Sequence, residues 1–193
     1  IGNRSSGKMG FALAEAAAAR GAEVVLVAGP VQLPTPAGVE RVNVRSAAQM
    51  RQAVLSALPA DIYIGAAAVS DYTPAQVSEQ KLKKTATTTG MTLELVRTPD
   101  ILAEVAAQTG ALKLVVGFAA ETHEVEKYAR GKLAAKRLDL VVANRVGVAG
   151  SGFESDDNAA TVYWADGQQE FATTSKKQLA AGLLDLIATR MHA

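Results

Sequence analysis

The chain has 193 residues and a formal net charge of +1, from 20 Lys+Arg against 19 Asp+Glu. That balance excludes a polycation made to coat nucleic acid or an anionic membrane, and 49% hydrophobic with 20% charged residues is the profile of a folded domain rather than a disordered one. With 0 Cys there is no disulfide framework, thiolate metal site or cysteine nucleophile, and 2 His leave little imidazole for a metal. Chemistry therefore falls to Lys, Arg, Asp, Asn, hydroxyls and backbone amides.

In chain order, Gly7 to Arg20 is rich in Ala and Leu and follows Ser5 and Ser6, which can accept from the first free helical N–H groups. A helix is predicted there, stopped by Gly21 in a left-handed conformation. Ala22 to Ala28 (AEVVLVA) reads as a strand buried on both faces, ended by Gly29-Pro30. Val39 to Val44 reads as a strand, Ser46 to Leu58 as a helix capped by Ser46, and Ile62 to Ala67 as a strand.

A further round runs from Pro99-Asp100 into the helix ILAEVAAQT, then the strand Leu114 to Phe118, the helix Glu121 to Arg137 and the strand Leu138 to Ala143. Short apolar strands alternating with helices predict an α/β fold, an open, doubly wound, Rossmann-like parallel sheet. Two stretches depart from the rhythm. Lys81 to Gly90 is basic and Thr-rich and Met91 to Val96 alternates like a strand with one solvated face, so residues 81–97 are expected to form a flap or β-arm. Gly147 to Ala172 contains a polar turn and then a hairpin around Asp166-Gly167, before a last helix from Lys176 to Arg190.

No apolar run reaches the roughly 20 residues of a membrane helix and no signal-peptide pattern is present, so a cytoplasmic domain without membrane or nucleic-acid partners is expected. The chain opens with Ile1 rather than Met, and its strongest motif begins at Gly2. We expect residues 1–193 to be a single domain cut from a longer polypeptide.

Gly2 to Met9 (GNRSSGKM) has the Gly and Lys positions of a P-loop but Met9 where a Ser or Thr would hold Mg²⁺, and no strand precedes it, so a P-loop NTPase is rejected. What stays open is either an anion-binding turn at a helix N-terminus or a capped helix that binds nothing. Ala66 to Tyr72 (AAAVSDY) follows a strand, where open sheets place their ligands; Asp71 there can hold a metal or a hydroxyl, or be merely solvated. Gly117 to Thr122 reads as a second small-residue turn after a strand. Lys81, Lys83 and Lys84 form a basic cluster, and Lys132 and Lys136 share a helix face, either as anion binders or as a solvated surface.

Taken together and in order, NRSSGKMG with its Ala-rich helix, AGP, AAAVSDY, KLKK, TPDIL, GFAAET, a Lys-bearing helix and GFESDDN resemble the phosphopantothenate–cysteine ligases. These form the synthetase half of the bifunctional bacterial coenzyme A biosynthesis flavoprotein, and the resemblance covers almost the whole chain. Members of that family carry an upstream strand, a Gly-Pro-Thr turn and an Arg before the Asn motif, none of which is present in residues 1–193.

The resemblance implies a two-step reaction. The carboxylate of 4′-phosphopantothenate attacks the α-phosphate of CTP to give an acyl-cytidylate and pyrophosphate, and the amine of L-cysteine then displaces CMP. It implies Asn3, Ala67, Ala68 and Asp71 around phosphopantothenate, with Asn3 holding the acyl group for the second step. It places Ser5, Ser6 and Gly7 on phosphates, Asp71 also beside the nucleotide, Pro99, Asp100, Ile101 and Phe118 around the cytidine, and Lys81, Lys132 and Lys136 as positive charge for the triphosphate, Lys81 catalytically. It further implies Mg²⁺, with metal ligands undetermined, a flap that excludes water, and a homodimer with shared sites. FMN belongs to the decarboxylase half. Two rivals stand beside it. An NAD(P)-dependent Rossmann oxidoreductase would want G-x-G-x-x-G and a Tyr–Lys pair, and a non-catalytic nucleotide-binding module would leave the lysines as surface.

Overall fold

The structure is a computed structural model that describes residues 5–78, 80–83, 90–108, 110–145 and 157–191. Asn3, Lys84 and the polar stretch 151–156 lie outside the described residues.

The first helix, α1 (Lys8–Ala18), starts after Gly7, whose φ of 74° is left-handed and would strain any side chain, and where a Cβ would also come within 3.1 Å of Val31 Cγ1. Ser5 and Ser6 accept from the N–H groups of Gly7 and Lys8, each at 3.4 Å, so the serines brace the turn while Gly7 itself is the cap. The helix ends as expected, with Gly21 at φ 83° and its N–H on the Ala18 carbonyl. Strand β1 (Val24–Ala28) pairs in parallel with β2 (Val39–Asn43). From β2, Arg41 lies over the Phe11 ring at 5.0 Å and donates to the carbonyls of Leu33 and Val31, tying the connecting loop to α1. Helix α2 (Ala47–Ser56) has the Ser46 cap, completed to a capping box by Gln49.

The main sheet has the order β3-β6-β7-β8-β9. Strands β3 (Ile62–Gly65), β6 (Leu114–Glu121) and β7 (Leu140–Arg145) are mutually parallel, and β8 (Asp157–Trp164) and β9 (Gly167–Ser175) add an antiparallel hairpin. A separate antiparallel ribbon joins β4 (Tyr72–Pro74) to β5 (Leu95–Arg97). Side chains alternate across the sheet: Leu140 and Val142 pack on one face with α1 and with α5 (Lys176–Met191), while Val141 and Ala143 pack on the other with α4 (Val125–Lys136). Leu179 and Leu183 of α5 are each 1% exposed, and burying each stabilises by about 1.5–3 kcal/mol. Helix α3 (Ile101–Ala106) packs beside α4 and over the group formed by Val44, Met50 and Val54. Helices on both faces of an open sheet are the doubly wound class, here with a mixed sheet.

Four expectations need correction. β1 is not buried on both faces: Val25 is 42% exposed, because among the described residues this strand pairs only with β2 and is not an inner strand of the main sheet. The segment from Gly117 to Glu121 is strand rather than turn, because Phe118 to Glu121 keep pairing with Val142 to Arg145, and α4 accordingly begins at Val125 rather than Glu121. Among the described residues of the arm only Leu95–Arg97 is strand, and all three are exposed rather than one face being buried, while Thr73 and Pro74 of β4 are half-buried. The hairpin turn centres on Ala165-Asp166, one residue early, because Gly167 pairs with Trp164 and the Trp164 ring sits 2.8 Å from where a Cβ would be.

Candidate functional site

The site is built on a step in the sheet. β3 stops at Gly65, opposite Gly117, while β6 runs four residues further alongside β7 alone. One backbone edge of β6 from Phe118 onward thus has no strand on the β3 side at the carboxyl end of the sheet, where open α/β folds bind ligands. The chain leaving β3 runs through the irregular small-residue segment Ala66 to Asp71 rather than a turn. The first turn of α1 rests on it, since a Cβ at Gly10 would touch the Ala66 Cβ at 3.9 Å. Ser5, Ser6 and Gly7 are thereby brought beside the end of β3, with Ala67 and Asp71 exposed and Ala68 half-buried.

Lys132 occupies the step. Its Nζ donates to the Phe118 carbonyl at 2.5 Å, on the edge β3 leaves unpaired. Burial, and then the charge of Lys136, disfavour its ammonium form and push its pKa below the ordinary lysine value, against the attraction of Asp100, Glu121 and Asp71. Lys136 lies one turn further on and pairs with Asp100, Nζ to Oδ2, at 2.7 Å. Asp100 also caps α3, accepting from Ala103 N at 3.1 Å. Burial alone would raise the Asp100 carboxyl, but the bonds from Lys136 and Ala103 and the two lysine charges outweigh it and hold the pKa below the usual value. Beneath them, burial and then the Asp100 charge push the Tyr63 hydroxyl up to about 12, so it stays protonated.

The structure therefore brings together Asp71, Pro99, Asp100, Ile101, Phe118, Lys132 and Lys136. Asp71 is joined to the group through its carbonyl, which accepts from Thr98 N at 2.9 Å. Lys81 is not drawn in: it is exposed on the segment past β4 and makes no ion pair with a described residue. The solvated-surface alternative for Lys132 and Lys136 does not hold, since both are half-buried and partnered. Two groups at this edge escaped the sequence reading. The Thr98 hydroxyl and the Asn144 carboxamide oxygen are buried and have no hydrogen-bond partner. Asn144 is legible only once β7 is known to run past Ala143, as the first polar residue of a strand otherwise buried on both faces.

Two other concavities lie away from the step. One of about 330 Å³, lined by Pro59, Asp61, Gly110 and Lys113, is at the amino end of β3 and β6. The other, about 300 Å³, is between α1 and the loop held by Arg41. Neither gathers the titratable groups found at the step.

A doubly wound α/β domain with a step of lysines and carboxylates at the carboxyl edge of its sheet belongs to the Rossmann-like class. More specifically, the chain belongs to the family described as the DNA/pantothenate metabolism flavoprotein C-terminal domain, which matches residues 1–191. It is 53% identical over 192 residues to the coenzyme A biosynthesis bifunctional protein CoaBC of Vibrio cholerae, covering 99% of this chain and 48% of that protein. It is 51% identical to CoaBC of Escherichia coli K12 over 192 residues, covering 98% and 47%. The chain spans about half the length of the curated relatives it matches. Among solved structures, the C-terminal domain of a CoaBC superposes with a TM-score of 0.81 at 38% identity, covering 98% of this chain and 85% of that one. A Cab2 mutant in complex with phosphopantothenate-cysteine superposes at 0.76 over 100% of this chain and 80% of that one, at 16% identity, a likeness of fold. Among the described residues no helix is long and apolar enough to cross a membrane.

Proposed function

We propose that this domain ligates 4′-phosphopantothenate to L-cysteine at the expense of CTP, through an acyl-cytidylate, releasing pyrophosphate and CMP. The observation that carries the reading is the half-buried Lys132 at the step, in a chain about half identical to CoaBC proteins. A partly desolvated ammonium held beside carboxylates gains most when an anion arrives, and phosphoryl transfer calls for positive charge around the phosphates more than for covalent chemistry.

In this proposal Lys132, Lys136 and Lys81 face the triphosphate, Ser5, Ser6 and Gly7 offer amides and hydroxyls to phosphate oxygens, and Pro99, Asp100, Ile101 and Phe118 surround the cytidine. Ala67, Ala68, Asp71 and Asn3 hold the acid, with Asn3 orienting the acyl group for attack by the cysteine amine. The arm carrying Lys81 closes over the activated acid and excludes water, which would otherwise hydrolyse it.

The donor set fits a Mg²⁺ carried by the nucleotide. No group of three or more His, Asp or Glu side chains converges among the described residues. Asp100 is committed to Lys136, which leaves Asp71 and Glu121 as the carboxylates near Lys132 that could stand beside the phosphates. One or two carboxylates plus phosphate oxygens is the usual way Mg²⁺ is held; there it would neutralise phosphate charge. FMN would be bound by the other half of the parent protein, and a cytoplasmic site agrees with these substrates.

A homodimer is part of the proposal. Tyr72, Leu82, Met91, Leu93, Leu95 and Val96 are all at least 37% exposed along one arm, more apolar surface than a two-stranded ribbon keeps in water without a partner. A second copy would cover it and bring its own arm to the shared site. The test is to supply the protein with 4′-phosphopantothenate, L-cysteine, Mg²⁺ and either CTP or ATP, and follow phosphopantothenoylcysteine by mass spectrometry. Product with CTP supports the proposal. Hydride transfer to NAD(P), or binding without turnover, would select one of the rivals.

A further inference from the structure

Tyr63 of β3 is half-buried, and its hydroxyl makes no hydrogen bond with a described residue. Its register neighbour on β6 is Val115, so the ring lies on the face of the sheet that α3 and α4 cover. There it packs against two core groups, one with Leu102 and Leu133 and the other with Ile101 and Val105. Gly65, the last residue of β3, leaves the ring room to run along the strand. A Cβ at Gly65 would come 3.2 Å from Tyr63 Cε1, 3.6 Å from the hydroxyl oxygen and 3.2 Å from Leu102 Cδ1. The hydroxyl therefore ends at the carboxyl edge against the first turn of α3, whose cap is Asp100. It is close enough to feel the Asp100 charge and stays protonated beside it.

Asp100 has two oxygens and two donors. Oδ1 accepts from Ala103 N at 3.1 Å and Oδ2 from Lys136 Nζ at 2.7 Å. An arriving polyphosphate carries more negative charge than one carboxylate and competes for Lys136. Once the ammonium turns away, Oδ2 is left without its donor beside an incoming anion. The far end of α3 stays tied, because Arg51 Nε donates to Glu104 Oε2 at 2.6 Å. The near end, with Pro99 and Ile101, depends on Asp100. A phenol is the donor that oxygen then calls for, since it is neutral and adds no positive charge to compete for the phosphates. Water can also bond to Oδ2, but only a group anchored in the sheet holds the carboxylate in place. We propose that Tyr63 is a positioning residue that stands in for Lys136: when Lys136 turns to a polyphosphate, the Tyr63 hydroxyl donates to Asp100 and keeps the α3 cap fixed. This rests on the ligase proposal only for what draws Lys136 away.

Mutation reaches the same state without any nucleotide, because Lys136→Ala removes the lysine outright. In the full-length protein, Tyr63→Phe, Lys136→Ala and the double variant are compared by hydrogen exchange at the amides of α3, and Tyr63→Phe also by initial rates with CTP. Tyr63→Phe alone should leave exchange in the free protein unchanged, because no bond is lost. Lys136→Ala should raise it little, because the phenol takes over. The double variant should exchange roughly tenfold faster than either, as expected for one lost hydrogen bond to a charged group, and the cycle isolates the dependence of one residue on the other. In turnover, Tyr63→Phe should raise KM for CTP by a similar factor and leave kcat near wild type. If Lys136→Ala fails to fold, Lys136→Met, which keeps the length of the side chain without its charge, takes its place with the same expectation.

Three results overturn the inference. They are exchange in the double variant no faster than in Lys136→Ala, an effect of Tyr63→Phe that is the same with and without Lys136, as a ring that only packs would give, and a KM for CTP that Tyr63→Phe leaves unchanged. The ligase proposal fails separately. A wild type that does not turn over CTP sinks that proposal, while exchange measured on the free protein still decides the role of Tyr63.

Discussion

Lys136 Nζ lies 2.7 Å from Asp100 Oδ2, and the same carboxylate caps α3 through Ala103 N. One side chain therefore ties α4 to α3 and fixes the loop Pro99–Asp100 at the step.

Asp100→Ala should destabilise the protein by about 1 kcal/mol, the usual cost of losing an N-cap, with the half-exposed ion pair adding little after screening. The folded-state pKa of Asp100 is lowered, so its contribution is present above the unfolded carboxylate value and is lost as pH falls through the folded one. Urea unfolding of both proteins should show a gap at neutral pH that narrows in acid. A gap that widens in acid would contradict this sign.

Lys132 runs the other way. Its depressed pKa means that the folded protein holds this proton less tightly than the unfolded chain does. Charging it therefore costs stability below the folded pKa, and that cost fades as pH rises through it. An arriving triphosphate favours the charged form, so CTP affinity should fall as pH rises through the depressed pKa, before an ordinary lysine titrates. Calorimetry across alkaline pH checks this. Lys132→Ala should bind CTP more weakly at pH 7, by roughly tenfold for one lost charge-assisted bond, and lose that pH dependence. Unchanged CTP affinity in both Lys132→Ala and Lys136→Ala would return these lysines to a structural role.

The step depends on close packing at Gly117. A Cβ there would meet Leu138 Cδ1 at 2.8 Å and Leu102 Cδ2 at 2.9 Å. Gly117→Ala should destabilise by about 1–3 kcal/mol, the usual cost of overpacking, by pushing α3 off β6. Chemical denaturation measures the cost, and a neutral result would mean that Leu102 and Leu138 repack freely.

Much of this was legible in the sequence. Alternation of VVLVA, IYIGA, LVVGF and LDLVV with Ala-rich helices gave the fold class, and Ser46, Gly21 and the helix opening at Pro99-Asp100 marked helix ends that the structure confirms. What stayed hidden depends on partners far along the chain. GFAAE carries turn-like small residues, and only pairing with β7 makes it strand. The buried oxygen of Asn144 is invisible until that extension is known. From their spacing alone Lys132 and Lys136 could be anion binders or a solvated helix face, because nothing local says that one reaches the Phe118 carbonyl and the other Asp100.

The exposed arm should be where two copies meet. Val96→Asp, on a residue 46% exposed, should shift sedimentation from dimer to monomer while leaving the fold intact by circular dichroism. A wild type that sediments as a monomer at micromolar concentration would remove the shared-site part of the proposal.

The central claim is that the step activates the acid with CTP before cysteine takes part. Rapid-quench analysis of the full-length protein with 4′-phosphopantothenate, CTP and Mg²⁺ but no cysteine tests it most directly. The account predicts one equivalent of pyrophosphate and of acyl-cytidylate per site in wild type. The burst should be suppressed roughly 10²-fold in Lys81→Ala, as for loss of a single electrostatic donor, and retained in Asn3→Ala, with the intermediate then persisting when cysteine is added. Pyrophosphate that appears only after cysteine is added, or a burst abolished by Asn3→Ala and untouched by Lys81→Ala, would contradict it.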